Sequence, residues 1–235
     1  MAEVDVLDDT RLEQVLQDIS SDDRATMGKF GKDAMVYAKE PEALREILLK
    51  RGVTDWLDEV NFRGCDSTVM PVFSDLSKQH NKKLTCTVTG VLLRVTKESL
   101  TLRPVPEGFT VSSLQPHQSE MADANWKFRG EYSKSYIRDM IGKMPSCCLY
   151  DNVGHVVGYA LTYHYGLLGM LHVKEEHRGK GYAKVIMSHL AHKCLQEQEY
   201  ASVVVESDNY MSMKLHTDIG FVEVPDLKLC WITCT

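Results

Sequence analysis

A short segment between a predicted strand and a predicted helix combines basic residues with small ones. It spans residues 171–184 and reads LHVKEEHRGKGYAK. A pyrophosphate needs several converging backbone N–H groups, and a helix N-terminus supplies up to four of them together with the positive end of its dipole. Arg178 and Lys180 add positive charge. The small residues that would let the backbone approach an anion are Gly179, Gly181 and Ala183.

Two other phosphate-binding loops do not fit this segment. Lys180 is not followed by Ser or Thr in the G-x-x-x-x-G-K-[ST] frame, which excludes a P-loop. The glycines do not form G-x-G-x-x-G, so the dinucleotide-binding fingerprint is absent. Glycines at a strand-to-helix turn often serve only to let the chain turn tightly. From this segment alone, that second interpretation stays open.

Composition excludes several functional classes. The chain has 235 residues, a hydrophobic fraction of 43% and a formal net charge of -6. An acidic chain is not typical of a nucleic-acid-binding protein, because phosphate neutralisation needs clustered Lys and Arg. Its seven cysteines contain no C-x-x-C spacing, so we expect neither a disulfide framework nor a metal site, and we expect a reducing compartment.

The ends of the chain and its apolar runs bear on localisation. No apolar run approaches the ~20 residues that span a bilayer, so we expect no membrane span. The N-terminal segment is acidic, unlike a secretory signal or an organelle transit peptide. We therefore expect a cytoplasmic protein. The adjacent Cys147 and Cys148 are interpreted as small residues of an apolar strand rather than a redox pair.

Hydrophobic periodicity gives the order of elements. Before the middle of the chain it predicts a helix at 4–19, a loop at 20–32, helices near 41–51 and 67–80, and a strand at 84–96. Two prolines and a glycine at 102–108 predict a domain boundary, with domains at 1–104 and 105–235. The second domain is predicted to contain a strand at 109–114, helices at 116–129 and 131–143, a hairpin at 147–165, a strand at 167–173, a helix at 180–197, a strand at 202–207, a helix at 209–219 and two final strands.

A second group of residues follows the glycine-rich segment after one helix and one strand. Its spacing is N-x-x-S-x-x-L-H-x-x-x-G-F, running from Asn209 to Phe221. Together with RGKGYA it resembles the GNAT superfamily of acyl-CoA-dependent N-acyltransferases. The segments NWKFRGEYSKSYIRDMIGKMPSCCLYDNVGHVVGY and YAKEPEALREILLKRGVTDWLDEV are similar to the glycine N-acyltransferase family within it. The resemblance extends from about Tyr37 to the end and implies a mixed α/β GNAT-type fold with a shortened N-terminal domain.

The resemblance implies that acyl-CoA binds as co-substrate, with no metal, in a splayed gap between the strands at 167–173 and 202–207. Backbone groups near Leu171 and Val173 would hold the pantetheine and polarise the thioester carbonyl. Asn209 either contacts the cofactor or caps the helix that follows it. The residues that the resemblance assigns to cofactor binding are Leu171, His172, Val173, Arg178, Gly179, Lys180, Gly181, Tyr182, Ala183, Lys184 and Asn209.

The catalytic positions depart from the family pattern. Where the family has a tyrosine acid this chain has His216, which is either the proton donor or a partly exposed helix residue, and Tyr210 is an alternative donor. The family's glutamate base is replaced by Leu167, which cannot carry a proton. Substitute bases are Glu206, His164 and His172, although regular strand alternation would place His172 on the opposite face from Leu167.

The function implied is transfer of an acyl group from acyl-CoA to the amino group of glycine or a similar small amino acid. The amine would attack directly in a ternary complex. A GNAT enzyme acting on another amine and a catalytically weak acyl-CoA-binding protein are the alternatives. The expected partners are small molecules, with no nucleic acid, and the resemblance also admits a mitochondrial location.

Overall fold

A computed structural model describes residues 25–30, 33–38, 40–50 and 53–235. The helix predicted at 4–19 lies outside the described residues. Two compact units divide the chain: the first runs up to Gly90 and includes Asp226–Thr235, and the second is Val91–Pro225.

The predicted boundary between residues 104 and 105 does not coincide with this division. The proline-containing stretch at 102–108 is tied into the second unit by hydrogen bonds. The Arg103 N–H donates to Ser188 Oγ (3.1 Å), and the Arg103 guanidinium donates to the Asp218 carbonyl oxygen (2.8 Å). Prolines here shape an anchored loop of the second unit, so their presence does not mark a linker.

The first unit contains strands in the order β1-β2-β3-β10-β4. Its elements are β1 (Ala25–Phe30), β2 (Asp33–Ala38), α1 (Pro41–Leu49), β3 (Val60–Asp66), α2 (Met70–Gln79), the beginning of β4 (Leu84–Val95) and the end of β10 (Val222–Cys234). The loop predicted at 20–32 is wrong for Ala25–Phe30. That segment is a strand because its backbone pairs antiparallel with β2, an interaction that a polar sequence does not preclude.

The second unit is a mixed sheet in the order β4-β9-β8-β7-β6-β5. Pairing is antiparallel from β5 to β8 and parallel between β8 and β9. Its elements are β5 (Thr110–Ser112), α3 (Ser119–Ala124), α4 (Ser133–Lys143), β6 (Ser146–Tyr150), β7 (Val156–Thr162), β8 (Leu167–Val173), α5 (Tyr182–Cys194), β9 (Ala201–Glu206) and α6 (Tyr210–Thr217). The predicted α/β fold class and the order of these elements are confirmed.

Helices cover this sheet through two separate apolar clusters. On β6, Cys147 belongs to the cluster that contains Leu190 of α5, and Cys148 belongs to the cluster that contains Met140 of α4. Neighbouring strand residues point to opposite faces. The two thiols are therefore buried core residues, as predicted. Each fully buried leucine or methionine of these clusters contributes about 1.5–3 kcal/mol of burial free energy.

The last strand differs from its prediction. The sequence predicts two strands around FVEV and LCWIT, whereas the structure has one element, β10. Asp226 has a φ of 60°, a left-handed conformation that interrupts the regular backbone between the two predicted segments. The boundary between the two compact units also falls at Asp226.

Gly220 follows α6 and is required by the close approach of two backbone segments. Its φ is 98°, and a Cβ at this position would overlap the Ser99 carbonyl oxygen and lie 2.9 Å from the Ser99 carbonyl carbon. The neighbouring Ile219 carbonyl oxygen accepts a hydrogen bond from the Thr101 N–H at 2.9 Å. The absence of a Cβ at Gly220 thus allows the backbone around Ser99 to pack against the end of α6.

We predict that Gly220→Ala lowers the free energy of unfolding by about 3 kcal/mol, because it adds both left-handed strain and a backbone overlap. Gly142→Ala is the matched control. Gly142 lies in α4, where an added Cβ would meet no atom within 4 Å, and alanine favours a helix interior. Urea titration should show the control at or above wild-type stability, and equal stability of the two variants would contradict the packing described.

Candidate active site

Strand β8 contains a β-bulge. The ladder pairs Tyr159 with His172 and Leu161 with Gly169. These pairs are three residues apart on β8 but only two apart on β7, so β8 contains one extra residue. Met170, within the inserted stretch, has a φ of 49°. A bulge bends its strand and changes the direction in which the following side chains point.

The bulge overturns the expectation that His172 and Leu167 lie on opposite faces. Gly169 pairs with Leu161, and His172 pairs with Tyr159, and those two β7 residues share one face. Leu167, two residues before Gly169, lies on the same face. Because of the extra residue in β8, His172 lies on the same face as Leu167, whereas regular alternation would place it on the opposite face.

Strands β8 and β9 separate soon after they begin to pair. Their parallel ladder joins Leu167 to Ser202 and Leu168 to Val203, and within the described residues it contains no later pair. Both strands continue, β8 to Val173 and β9 to Glu206. The facing backbone groups beyond Leu168 therefore border a gap, as the resemblance implies.

The glycine-rich turn lies at the end of β8 and opens α5. Gly179 and Gly181 have φ values of 76° and 83°, and a Cβ at either would meet no atom within 4 Å. Across the described residues, no hydrogen bond was found for five consecutive backbone N–H groups, those of residues 179–183. Together with the α5 dipole they form a concentrated set of donors for an anion.

The basic side chains around this turn are held by nearby oxygen atoms. Arg178 Nε donates to the Val173 carbonyl oxygen (3.1 Å), which ties the turn to the end of β8. Lys180 Nζ donates to the Glu176 carbonyl oxygen (3.0 Å). Lys184 lies 2.7 Å from Asp218 Oδ2, and this pairing lowers the pKa of Asp218. Lys184 thus links α5 to the end of α6, while Arg178 and Lys180 border the open turn.

Gly158 allows β7, β8 and α5 to meet behind the turn. A Cβ on Gly158 would lie 2.6 Å from the His172 carbonyl oxygen and 2.9 Å from Ile186 Cδ1. Both distances are shorter than ordinary van der Waals contact. The need for glycine at this position is not predictable from local sequence, because it comes from neighbours that are distant along the chain.

A cavity of about 280 Å³ lies beside the bulge. Met170, Leu171 and His172 of β8 form one side of it. Its other lining residues come from α3, the loop after α3, β7 and the residue that follows β7, and they are Ala122, Asn125, Trp126, Lys127, Phe128, Tyr159 and Tyr163. The NWKF segment, residues 125–128, carries part of the family resemblance but has no role predicted from its residue types. Two aromatic residues flanking a lysine between two helices were the available signal.

His172 is half-buried in the wall of this cavity. Its ring stacks on Tyr159 with centroids 5.6 Å apart. Burial lowers the pKa of His172, and the positive charges of Arg178 and Lys174 lower it further. The ring is therefore neutral at neutral pH and can accept a proton or a hydrogen bond.

Glu206 and Lys127 form an ion pair between the end of β9 and the cavity wall. Lys127 Nζ donates to Glu206 Oε1, and the two side chains are 62% and 40% exposed. Glu206, one of the substitute bases, lies at the end of β9, and its role as the base stays a prediction. His164, another substitute base, instead has Nε2 3.1 Å from Asp139 Oδ2 on α4.

His216 is not placed to protonate a ligand. Only 3% of the residue is exposed, and Nδ1 donates to the Ser212 carbonyl oxygen at 2.8 Å. The other ring nitrogen, Nε2, has no accessible surface, so a ligand cannot touch it without rearrangement. Both sequence interpretations, proton donor and partly exposed residue, are corrected: His216 is a core residue that packs edge-on against Phe221.

Asn209 and Tyr210 lie at the start of α6. Asn209 Oδ1 accepts a hydrogen bond from the Ser212 N–H (3.0 Å), so its helix-capping role is confirmed, while a cofactor contact stays a prediction. Tyr210 is 77% exposed and no contact holds its ring near the gap among the residues described. Leu167, at the family's base position, is buried beside β9.

Comparison with known proteins agrees with this geometry. The profile of the FR47-like protein family matches residues 146–232. Human glycine N-acyltransferase-like protein 1B is 22% identical over 209 residues, which cover 80% of this chain and 69% of the human protein. A crystal structure of a Drosophila protein superposes with a TM-score of 0.75 at 16% identity, covering 86% of this chain and 70% of the other.

A GCN5-related N-acetyltransferase from Kribbella flavida superposes with a TM-score of 0.58 at 13% identity, covering 86% of this chain and 80% of the other. The chain has the GNAT fold. The resemblance to GNAT proteins expected from RGKGYA and the Asn209 helix is confirmed.

Within the described residues, no helix has the length and apolarity needed to cross a membrane. No group of three or more His, Cys, Asp or Glu side chains placed to hold a metal ion occurs there either.

We predict that the burial of His216 makes stability depend on pH. Burial lowers the pKa of His216 below its ordinary 6.5, so the unfolded chain binds a proton more readily than the folded one. This contribution is fully present above pH 6.5 and is lost as the pH falls below it. Urea titrations from pH 7 to about pH 5 should show a shallower loss in His216→Asn than in the wild type.

His192→Asn is the control, because His192 is exposed on α5. It should leave the pH dependence of the free energy of unfolding close to that of the wild type. An unchanged slope in His216→Asn would contradict the buried, neutral state of this ring.

Proposed function

We propose that the protein is an acyl-CoA-dependent N-acyltransferase that acylates the amino group of glycine or a similar small amino acid. The observation that carries this proposal is the continuity of the site. The gap between β8 and β9 ends at a turn with five available N–H groups, and the small cavity opens beside the same strand.

The turn suits the pyrophosphate of CoA. A doubly charged group gains from the N–H groups at 179–183 and from the α5 dipole. Arg178 and Lys180 supply positive charge in a chain whose formal net charge is -6. The Arg178–Val173 hydrogen bond fixes the turn relative to the strand along which the pantetheine would extend.

The bulge suits the thioester. Met170 and Leu171 lie in the stretch that interrupts the regular ladder with β7, and both residues line the cavity. An N–H at this position would stabilise the negative charge that develops on the thioester oxygen during attack. The strand thus positions both the thioester and the amine that approaches from the cavity.

The cavity suits a small acceptor. Its volume of about 280 Å³ lies just below the range of about 300–1,000 Å³ that is usual for small-molecule sites, and its lining mixes aromatic rings with Asn125, Lys127 and His172. This size favours a small amine over a long polyamine or a peptide segment. Neutral His172 and the Glu206 carboxylate are the proton acceptors that this proposal assigns to the amine.

A second candidate function is acyl-CoA binding without efficient catalysis. Two observations favour it: Leu167 is buried at the position of the family's base, and His216 is buried at the position of the family's acid. Both candidates share the CoA turn. They differ in whether an amine is acylated.

The decisive test is release of free CoA thiol from acetyl-, benzoyl- and fatty acyl-CoA in the presence of glycine. We expect glycine-dependent release with at least one acyl donor, and mass spectrometry should identify the N-acylglycine. Tight CoA binding without thiol release for glycine or any other small amine would favour the binding protein. No CoA binding would overturn both candidates.

We predict that Gly181→Ala weakens CoA binding by about tenfold, equivalent to about 1.4 kcal/mol. The N–H groups of this turn depend on a left-handed backbone at residue 181. For alanine that conformation costs about 1–2 kcal/mol of strain. Isothermal titration calorimetry with CoA measures the effect.

Gly154→Ala is the matched control. Gly154 has a φ of 85°, close to the 83° of Gly181, and open space around its own Cβ position in the β6–β7 turn. Both variants should lose similar stability, whereas only Gly181→Ala should lose CoA affinity. Equal CoA affinity in the two variants would contradict the assignment of the turn.

A further inference from the structure

The Lys127–Glu206 ion pair lies where an acceptor would bind. Lys127 lines the cavity beside the β8 bulge, together with Asn125 and His172. Glu206 is the last residue of β9, beyond the point where β8 and β9 separate. The pair therefore joins the cavity wall to the far side of the gap.

Three other cations near the gap have different positions and partners. Arg178 and Lys180 are held at the turn by carbonyl oxygens, and Lys184 pairs with Asp218. Lys127 alone among these four lines the cavity. Its ammonium also lies over the Phe128 ring, 4.8 Å from the centroid, which limits where it can move.

Resting on the proposed function, we infer that Lys127 and Glu206 together recognise the acceptor as a zwitterion. The acceptor's carboxylate replaces Glu206 as the partner of the Lys127 ammonium. Its ammonium group then pairs with the released Glu206 carboxylate. The protein's own ion pair is thus exchanged for two ion pairs with one small amino acid.

Charge balance makes this exchange favourable. With no acceptor bound, each side chain neutralises the other. After insertion of a zwitterion, each again faces an opposite charge, so neither charge is left unpaired. Both side chains are partly exposed, so the cost of separating them is small. A neutral amine or a monocation would satisfy one of the two charges and leave the other without its partner.

The exchange also supplies a proton acceptor. The acceptor's ammonium gives one proton to the Glu206 carboxylate, and its freed lone pair attacks the thioester carbonyl carbon. The C–N bond forms as the carbonyl π electrons move to oxygen, and their return breaks the C–S bond. The nitrogen's second proton goes to the departing thiolate, giving the amide and CoA thiol, and Glu206 later releases its proton to water.

The test compares glycine with glycinamide, which has the amine but no carboxylate. We expect the unaltered chain to prefer glycine by at least about tenfold in kcat/KM, and Lys127→Met to raise the KM for glycine by about 10- to 100-fold. Its kcat/KM for glycinamide should not fall and should rise by a few-fold, because without Lys127 the Glu206 carboxylate is free to pair with the glycinamide ammonium. Lys127→Arg keeps the positive charge, so its KM for glycine should stay close to the wild-type value.

The matched control is Lys134→Met. Lys134 forms a similar exposed ion pair, with Glu120 at 3.1 Å, elsewhere in the second unit, and its loss should leave the kinetics of both acceptors unchanged. CoA affinity and circular dichroism should match the wild type in all three variants, which shows that they fold.

Equal use of glycine and glycinamide by the unaltered chain would overturn the inference while leaving acyl transfer intact. An unchanged KM for glycine in Lys127→Met would do the same. Absence of glycine acylation by the unaltered chain would instead overturn the proposed function, and the inference would fall with it.

Discussion

The second unit depends on one interruption of hydrogen bonding, the early end of the β8–β9 ladder. Two pairs, ending at Leu168 and Val203, join the two strands, and β8 and β9 then continue without further pairing to each other. The β8 bulge on the other side of the strand changes its direction at nearly the same level. Because the gap begins there, the turn after β8 and the cavity beside it both adjoin one site.

Much of this arrangement was predictable from sequence. Periodicity gave nearly all elements of the second unit, because α5 and the strands around it bury continuous apolar faces. Local chemistry identified the turn, since Gly179 and Gly181 adopt left-handed conformations that favour glycine. The helix cap at Asn209 was also predictable, because its hydrogen bond involves neighbours three residues apart.

The parts that were not predictable depend on contacts between distant residues. A bulge has no reliable local signature, so the face of His172 could not be derived by counting along β8. The burial of His216 depends on Phe221 and the surrounding core rather than on its spacing in α6. The Lys127–Glu206 pair joins residues 79 positions apart, and the strand at Ala25–Phe30 exists through pairing with β2.

The open edge of β8 has a further consequence for what can enter. An unpaired strand edge normally attracts another strand, which is a route to aggregation. Here β9 lies opposite that edge and pairs with it at one end only. The space between the two strands therefore narrows toward the paired end, which disfavours a wide or branched chain. A thin, extended molecule carrying amide groups can form the missing hydrogen bonds on both sides. The gap would therefore suit an extended ligand whose amide groups are spaced like those of a β-strand.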